Sequence, residues 1–226
     1  METKLTAEQI ARMVDISAVK CESSVSEINA IIDGAVKHNF ICVFALPSFT
    51  PMVIEKLRPY PENKVGGIVG FPSGGETTAA KVFQAKELVA MGCDEVDMVL
   101  NVGKLKSGLI DEVLEDIKAV REAAKGVLFK VIMEVVLLSD EEIKIASKLI
   151  RDAGADFVKT GTGWAGKTTM HHIKLIKESV GDTIKLKVAG GVRDLDTLLE
   201  MYEAGVSRFG IGHASALKIM EDAAAR

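Results

Sequence analysis

The sequence predicts a single-domain α/β fold, a TIM (β/α)8 barrel spanning residues 1–226. Short runs of apolar and β-branched residues alternate with longer segments whose apolar residues recur at helical spacing. Eight such units occur, which suits a closed parallel barrel, whereas a doubly wound open sheet usually needs fewer strands for this length. No linker, low-complexity tract or charge block divides the chain, so we expect one domain.

The predicted strands are short and strongly apolar. They cover residues 13–17, 41–46, 65–71, 95–100, 128–135, 156–160, 185–189 and 207–211. Helices are predicted between them at 77–91, 109–124, 140–153, 169–180 and 195–204. Gly92, Gly154 and Gly205 each follow a helical stretch and suit a helix C-cap, so the sequence repeats a unit of helix, cap and buried strand.

The composition excludes two classes of partner. A net charge of −4 and a pI near 5.7 argue against a nucleic-acid-binding surface, which needs clustered Lys and Arg. No run of about 18 apolar residues occurs, and the first residues are amphipathic and charged rather than an apolar signal segment. We therefore expect no nucleic-acid partner, no membrane span and no export.

The cysteines and histidines predict neither a disulfide framework nor a metal site. Cys21, Cys42 and Cys93 cannot all pair and lack the close spacing of a zinc site. The four histidines have no ligand spacing either, and the adjacent pair His171 and His172 would face different directions on a helix. A reducing cytoplasm, and no metal or other cofactor, are therefore expected.

Three charged side chains lie near the C-terminal ends of apolar strands, where barrels of this class carry their active sites. Asp97 lies in the fourth strand, Lys159 in the sixth and Lys187 in the seventh. Lys185 shares a strand face with Lys187, but only Lys187 adjoins the Gly-Gly loop. Any one of these charges alone is better explained by contact with water or a structural ion pair, yet their convergence on one cavity favours a function.

Two neighbouring lysines predict amine chemistry. A nearby ammonium and partial desolvation lower the pKa of a lysine, so that free amine exists near neutrality. We expect Lys187 to act in this way on Lys159, which would condense with an aldehyde or ketone to give an iminium. The iminium accepts electrons while a carbon–carbon bond forms or breaks, without a metal. Asp97 would move protons through water.

Glycine-rich loops follow the last three predicted strands and indicate an anionic group on the substrate. Backbone N–H groups exposed by glycines, together with a helix N-terminus, bind phosphate in many barrels. Tight turns explain any single loop equally well, but three such loops on adjacent strands favour phosphate. The glycines are Gly161, Gly163, Gly166, Gly190, Gly191, Gly210 and Gly212.

One of these loops also satisfies a nucleotide-binding pattern. Residues 161–168 read Gly-Thr-Gly-Trp-Ala-Gly-Lys-Thr, which matches the P-loop, and they follow a strand and precede a helix. However, five predicted strands precede the strand that leads into this loop, and no later strand ends in the magnesium-binding Asp that such enzymes require. A phosphate- or nucleotide-binding protein that uses Gly161 to Thr168 therefore remains the alternative from a different functional class.

Five stretches of the chain resemble deoxyribose-phosphate aldolases, and the similarity runs almost end to end. They lie at 69–74, 94–99, 130–134, 153–163 and 187–193. Most specific are Ala-Gly-Ala-Asp-Phe-Val-Lys-Thr-Gly-Thr-Gly at 153–163 and Lys-Val-Ala-Gly-Gly-Val-Arg at 187–193. The resemblance implies a class I lyase of carbohydrate and deoxyribonucleotide catabolism that joins acetaldehyde to glyceraldehyde 3-phosphate.

The resemblance also implies roles for the matching residues. Lys159 matches the Schiff-base lysine, Lys187 the second lysine that tunes it, and Asp97 the proton-relay aspartate. Residues matching sugar-contacting positions are Asp15, Cys42 and Thr162, and those matching phosphate-binding backbone are Gly163, Gly190, Gly191 and Gly210.

The substrate rim departs from the pattern usual in these enzymes. Instead of a glycine and two serines after the last strand, the chain reads Gly210-Ile-Gly212-His213-Ala-Ser215, and Trp164 follows the loop after Lys159. Gly212 and His213 are candidates for holding a polar tail. We therefore expect Schiff-base chemistry on 2-deoxy-D-ribose 5-phosphate, on another sugar phosphate or on an unphosphorylated aldehyde. The family's barrels commonly pair, which implies a homodimer or larger homo-oligomer.

Overall fold

A computed structural model describes residues 5–226, which contain a closed barrel of eight parallel strands. The strands pair in chain order, and the eighth closes the barrel on the first. They are β1 (Val14–Ala18), β2 (Cys42–Ala45), β3 (Lys64–Val69), β4 (Glu95–Val99), β5 (Leu128–Ile132), β6 (Phe157–Lys159), β7 (Lys185–Ala189) and β8 (Arg208–Gly212). The predicted fold class is confirmed.

Helices connect the strands and cover the outside of the barrel. They are α1 (Ala7–Ala11), α2 (Val25–His38), α3 (Thr50–Leu57), α4 (Thr78–Met91), α5 (Val102–Lys106), α6 (Ile110–Ala123), α7 (Asp140–Asp152), α8 (Met170–Val180), α9 (Leu195–Glu203) and α10 (His213–Ala224). Short 3₁₀ turns cover Pro47–Phe49 and Val135–Leu137. Across residues 5–226, no helix combines the length and apolarity needed to cross a bilayer.

The five helices predicted from the sequence lie within one residue of their expected ends. Four of the five begin after a side chain that accepts a hydrogen bond from a free backbone amide of the first turn, whereas α6 has no such cap. Thr77, Ser139, Thr169 and Asp194 act in this way on α4, α7, α8 and α9. At the other end of α4, Gly92 adopts a left-handed conformation with φ of 103°, as the C-cap pattern predicted.

Two strands, β3 and β5, end two or more residues earlier than the apolar pattern predicted. β3 stops at Val69 because Gly70 turns the chain with a φ of 64°, and its N–H donates to the Gln84 side chain at 2.9 Å. β5 stops at Ile132, and Glu134 two residues later has a φ of 56°. Beyond β5, Met133 and Val135 remain buried, and beyond β3, Phe71 is partly buried, so the apolar pattern continues past the ends of both strands.

The main apolar core lies between the barrel and the surrounding helices, whereas the inside of the barrel holds a polar layer. Burying charge is costly unless each group is paired. The buried charged side chains that project inward are Asp15, Glu95, Asp97, Lys130, Lys159, Lys187 and Arg208, none more than 7% exposed. Each of these charges is paired with an opposite charge inside the barrel.

Candidate active site

Strand register brings the three predicted catalytic residues together. Lys159 on β6 pairs with Lys187 on β7, so their side chains project from the same face into the barrel. The Nζ atoms of Lys159 and Lys187 both lie 2.8 Å from Oδ2 of Asp97 on β4. Lys130 on β5 donates to the other carboxylate oxygen, Oδ1, at 2.9 Å. Asp97 is therefore the centre of three buried ammonium groups.

The same carboxylate belongs to a larger ion-pair network. Lys130 also pairs with Glu95, and Nη2 of Arg208 lies 2.9 Å from Oε2 of Glu95. Arg208 donates from Nε to Oδ1 of Asp15 at 3.0 Å, and Lys187 pairs with Oδ2 of Asp15. The seven connected side chains are Asp15, Glu95, Asp97, Lys130, Lys159, Lys187 and Arg208. Four are basic and three acidic, so the network is neutral when Lys159 is a free amine.

Burial is the main reason that Lys159 loses its proton easily. It lowers the pKa of Lys159 to about 8, against the opposing effect of the Asp97 carboxylate. The ammonium groups of Lys187 and Lys130 lower the pKa further. The sequence predicted that Lys187 and partial desolvation lower this pKa, and in the structure desolvation lowers it more than the charge of Lys187 does. About a tenth of the molecules carry free amine one pH unit below the pKa.

Asp97 is held in its ionised form. Burial acts to raise its pKa, but the charges of Lys130, Lys159 and Lys187 outweigh burial and keep the pKa well below its usual range. The carboxylate therefore stabilises a cation at the end of Lys159, and this cation is an ammonium before reaction and an iminium after it.

An aromatic ring completes the surroundings of the amines. The centroid of the Phe44 ring lies 4.3 Å from Nζ of Lys187 and 5.6 Å from Nζ of Lys159, within the range of cation–π contacts. Gly66 on the neighbouring strand makes room for this ring, since a Cβ there would lie 2.1 Å from its atoms. Phe44 belongs to an apolar run, so the sequence did not indicate a role for it.

The lysines open into a cavity of about 520 Å³ at the C-terminal end of the barrel. Asp15, Lys159 and Lys187 line it. All of the residues predicted to bind substrate also line it, except Cys42 and His213. The predicted rim residues on the cavity are Thr162, Gly163, Gly190, Gly191, Gly210 and Gly212. Lys20, Arg193 and Ser215, which were not predicted as site residues, also line it.

The structure does not bring Cys42 and His213 to this cavity. Cys42 is fully buried in a small apolar cluster with Phe44 and Ile68, and burial raises the pKa of its thiol well above the usual value. His213 begins α10 next to Gly34 and lines an adjoining pocket of about 390 Å³. Trp164 lies on that same pocket rather than across the main cavity.

One buried group of side chains has the composition of a metal site. Single ligand atoms of Asp15, Cys42 and Glu95 lie within 4.8 Å of one another. Both carboxylates already pair with Arg208, and the Cys42 thiol holds its proton, whereas metal ligation needs the thiolate. These residues fit an ion-pair network better than a metal centre.

The loop that matches the P-loop pattern turns its polar groups inward. The N–H of Thr162 donates to Glu134 at 3.0 Å, and the N–H of Thr168 donates to the carbonyl of Gly190 at 3.0 Å. The Thr168 hydroxyl, which would bind magnesium in a nucleotide site, donates to the carbonyl of Ala189 at 3.0 Å. This geometry does not favour nucleotide binding.

Comparison with known proteins agrees with the geometry of the site. Residues 11–221 match the family described as DeoC/LacD family aldolase. The chain belongs to this family. It is 44% identical over 222 residues to a deoxyribose-phosphate aldolase of Sinorhizobium medicae (strain WSM419), which covers 98% of this chain and 90% of that protein.

Two further relatives support the same family. The chain is 44% identical over 212 residues to deoxyribose-phosphate aldolase 2 of Staphylococcus aureus (strain COL), which covers 93% of this chain and 95% of that protein. The solved structure of QR15, an aldolase, superposes with a TM-score of 0.89 at 35% identity, over 96% of each chain. This DeoC/LacD aldolase is therefore a carbon–carbon lyase on a TIM barrel, and the resemblance seen in its sequence is confirmed.

Several site residues of the aldolase were missed from the sequence, although two left a signal. Glu95 lies two residues before Asp97, so strand alternation alone places both on one face. Lys130 lies within the motif at 130–134, as another charge inside an apolar strand. Arg208 resembled an ordinary strand-end charge, and only barrel closure brings it to Asp15.

Proposed function

We propose that this enzyme cleaves 2-deoxy-D-ribose 5-phosphate reversibly into acetaldehyde and glyceraldehyde 3-phosphate, through a Schiff base on Lys159. The observation that carries the proposal is a buried amine with a pKa of about 8, hydrogen bonded to Asp97 and open to a cavity. A nucleophilic lysine needs this combination of desolvation, neighbouring charge and access to substrate. The names of the two aldolase relatives support the choice of sugar phosphate.

The proposed reaction runs through an iminium. The free amine of Lys159 adds to the C1 aldehyde, and the carbinolamine loses water to form a C=N⁺ bond. A base removes the proton of the C3 hydroxyl, the C2–C3 bond breaks, and its electron pair moves into the iminium to give an enamine. Glyceraldehyde 3-phosphate departs, the enamine carbon takes up a proton, and water releases acetaldehyde. In this proposal Asp97, which accepts a hydrogen bond from Lys159, would stabilise the cationic stages and exchange protons with the substrate through Lys159 and water.

The rim of the cavity supports a phosphorylated substrate. Gly190 and Gly191 follow β7, Gly210 lies within β8, Gly212 ends β8, and all four line the cavity. Backbone amides at such loops bind phosphate in many barrels. Arg193 on the same rim adds a positive charge.

Reductive trapping tests the Schiff base. Borohydride added with 2-deoxyribose 5-phosphate should leave one stable adduct, located on Lys159 by peptide mass analysis. Lys159→Leu should give no adduct and no measurable cleavage. Lys185→Leu, which removes an exposed lysine of the next strand, should behave as wild type. An adduct elsewhere, or cleavage by Lys159→Leu, would refute the mechanism.

The identity of the substrate needs a separate test. We expect kcat/KM for 2-deoxyribose 5-phosphate to exceed that for 2-deoxyribose by at least about a hundredfold, since a phosphate contributes several charge-assisted hydrogen bonds. Equal values would favour the alternative of an unphosphorylated aldehyde. Faster cleavage of a different sugar phosphate would leave the proposed Schiff-base chemistry in place and change only the substrate. A larger sugar could extend into the adjoining pocket lined by His213 and Trp164.

Two further properties stay predictions. Cytoplasmic location follows from the cysteine pattern alone. Self-association follows from the family resemblance, and sedimentation velocity at several protein concentrations would show whether a dimer or larger assembly forms.

A further inference from the structure

Glu134 is a buried acidic residue that the proposed reaction steps do not use. Glu134 is 4% exposed. Its backbone is left-handed, with φ of 56° and ψ of 62°, which is uncommon for a residue other than glycine. Its neighbours hold it beside β6: the N–H of Met133 donates to the carbonyl of Lys159 at 3.0 Å, and the N–H of Val135 donates to that of Thr160 at 2.8 Å. Glu134 is thus tied to the strand that carries the nucleophile.

The loop after Lys159 is built closely around this carboxylate. Within residues 5–226, both hydrogen bonds to the Glu134 side chain come from Thr162, one from its N–H at 3.0 Å and one from its hydroxyl. Both are received by the same oxygen, Oε2. The other oxygen, Oε1, lies 2.7 Å from the place that a Cβ of Gly161 would occupy, so only glycine fits there without displacement.

These contacts determine which partner receives the hydrogen of the Thr162 hydroxyl. A hydroxyl has one hydrogen and two lone pairs, and a carboxylate oxygen only accepts. Thr162 therefore gives its hydrogen to Glu134, and one lone pair receives the N–H of Trp164 at 3.0 Å. Within residues 5–226 the second lone pair receives no hydrogen bond, and Thr162 lines the cavity. Towards a substrate, this side chain can act only as an acceptor.

We propose that Glu134 is a positioning residue that makes Thr162 an acceptor for a hydroxyl group on the aldehyde released from the proposed substrate. A hydroxyl offers the hydrogen that such an acceptor needs, whereas the phosphate dianion that predominates near neutral pH offers none. Glu134 thereby gives the enzyme its selectivity for hydroxylated acceptor aldehydes. This role rests on the proposed aldolase function and goes beyond it, because it assigns selectivity to a residue that does not line the cavity.

Two acceptors that differ by one hydroxyl test the role. Acetaldehyde is condensed with glyceraldehyde 3-phosphate or with the 3-phosphate of propanal, which lacks the hydroxyl, and the ratio of the two kcat/KM values is measured. We expect wild type to prefer the hydroxylated acceptor about tenfold, as for one well-placed hydrogen bond. Glu134→Gly and Thr162→Val should both bring the ratio close to one, and the double variant should bring it no lower.

Two conservative variants serve as controls. Glu134→Gln keeps a carbonyl oxygen for both Thr162 bonds, and Thr162→Ser keeps the hydroxyl, so both should retain the preference. Glycine at 134 suits the left-handed backbone, so Glu134→Gly should remain folded, as thermal unfolding will show. If it unfolds, Glu134→Asn replaces it, because asparagine tolerates the same backbone and is too short to reach Thr162.

The possible failures can be told apart. A wild-type enzyme that condenses neither acceptor would refute the proposed function and the role of Glu134 together. An active wild type whose preference survives in folded Glu134→Gly or Glu134→Asn, or in Thr162→Val, would refute the role of Glu134 alone. Loss of the preference in Glu134→Gln as well would show that the shared acceptor oxygen does not decide it.

Discussion

Lys159 illustrates how a single side chain sets the working pH of an enzyme. Its pKa of about 8 means that ammonium predominates at neutral pH and free amine above pH 8. Where imine formation limits the rate, kcat/KM should rise about tenfold per pH unit below the pKa and level off above it. Initial rates of cleavage between about pH 5.5 and about pH 9.5 would check this, since that interval brackets the pKa. A profile flat between pH 6 and about 8 would contradict it.

Lys187 should be needed for the position of that pH profile. Replacing it with Met removes an ammonium that lies 2.8 Å from the same oxygen as Nζ of Lys159, so the pKa of Lys159 should rise. We expect the acidic limb to move to higher pH and kcat/KM at pH 7 to fall by about tenfold or more. Reduced activity with an unmoved limb would mean that Lys187 acts through packing or substrate contact instead of charge.

At the residue scale, the sequence pattern identifies some site residues and misses others, for physical reasons. Asp97, Lys159 and Lys187 were visible because charge inside an apolar strand is costly without a function. Cys42 matched a sugar-contacting position by resemblance, but the structure buries it beneath Phe44, and no sequence pattern distinguishes the two levels of a barrel interior. Depth within the barrel depends on strand tilt and closure, which are properties of the whole sheet.

Among the elements, β2 and β3 depend on one close fit. A methyl group at Gly66 would lie 2.1 Å from the Phe44 ring, which is buried and packed against Ile68. Gly66→Ala should lower the free energy of unfolding by about 1–3 kcal/mol or more, by overpacking. Urea unfolding would measure this, and a second change, Phe44→Leu, should recover part of the loss. Gly103→Ala, at an exposed position of α5, is the matched control and should cost little stability. Equal stability of both glycine variants would contradict the tight fit.

The ends of β3 and β5 show where sequence patterns lose resolution. Apolar residues continue past both ends, because the chain stays buried or partly buried as it turns over the top of the barrel. Gly70 is a local sequence signal for a turn, because glycine readily adopts a positive φ. Glu134 gives no such signal, because its left-handed backbone accompanies contacts with Thr162 in the loop after β6. Helix ends were easier to predict because their capping residues act within a few positions of the chain.

For the whole molecule, the buried network links activity to stability. The folded protein holds the proton of Lys159 less tightly than the unfolded chain, whose pKa is the ordinary value of 10.5. Between about pH 8 and 10.5 the unfolded state therefore binds more protons, and stability should rise with pH across this window. Lys159→Met should abolish that rise, while Lys185→Met should preserve it.

The same change should stabilise the protein at neutral pH. Without Lys159 the network holds three basic and three acidic side chains, and the cost of burying an extra ammonium disappears. We expect Lys159→Met to be more stable than wild type at pH 7 by an amount on the order of 1–3 kcal/mol. Thermal and urea unfolding would measure it. A less stable variant would mean that the packing of the lysine stem outweighs the charge.

The barrel separates the groups that would carry out the reaction from the groups that would choose the substrate. The charged network is carried by strands, whose pairing fixes it, whereas Thr162, Gly191 and Ser215 belong to the loops or the helix that follow the strands. Loops of this kind tolerate insertion and replacement far better than paired strands do. Evolution, or a protein engineer, can therefore diversify the aldehydes accepted by this scaffold through its loops while inheriting the same amine unchanged.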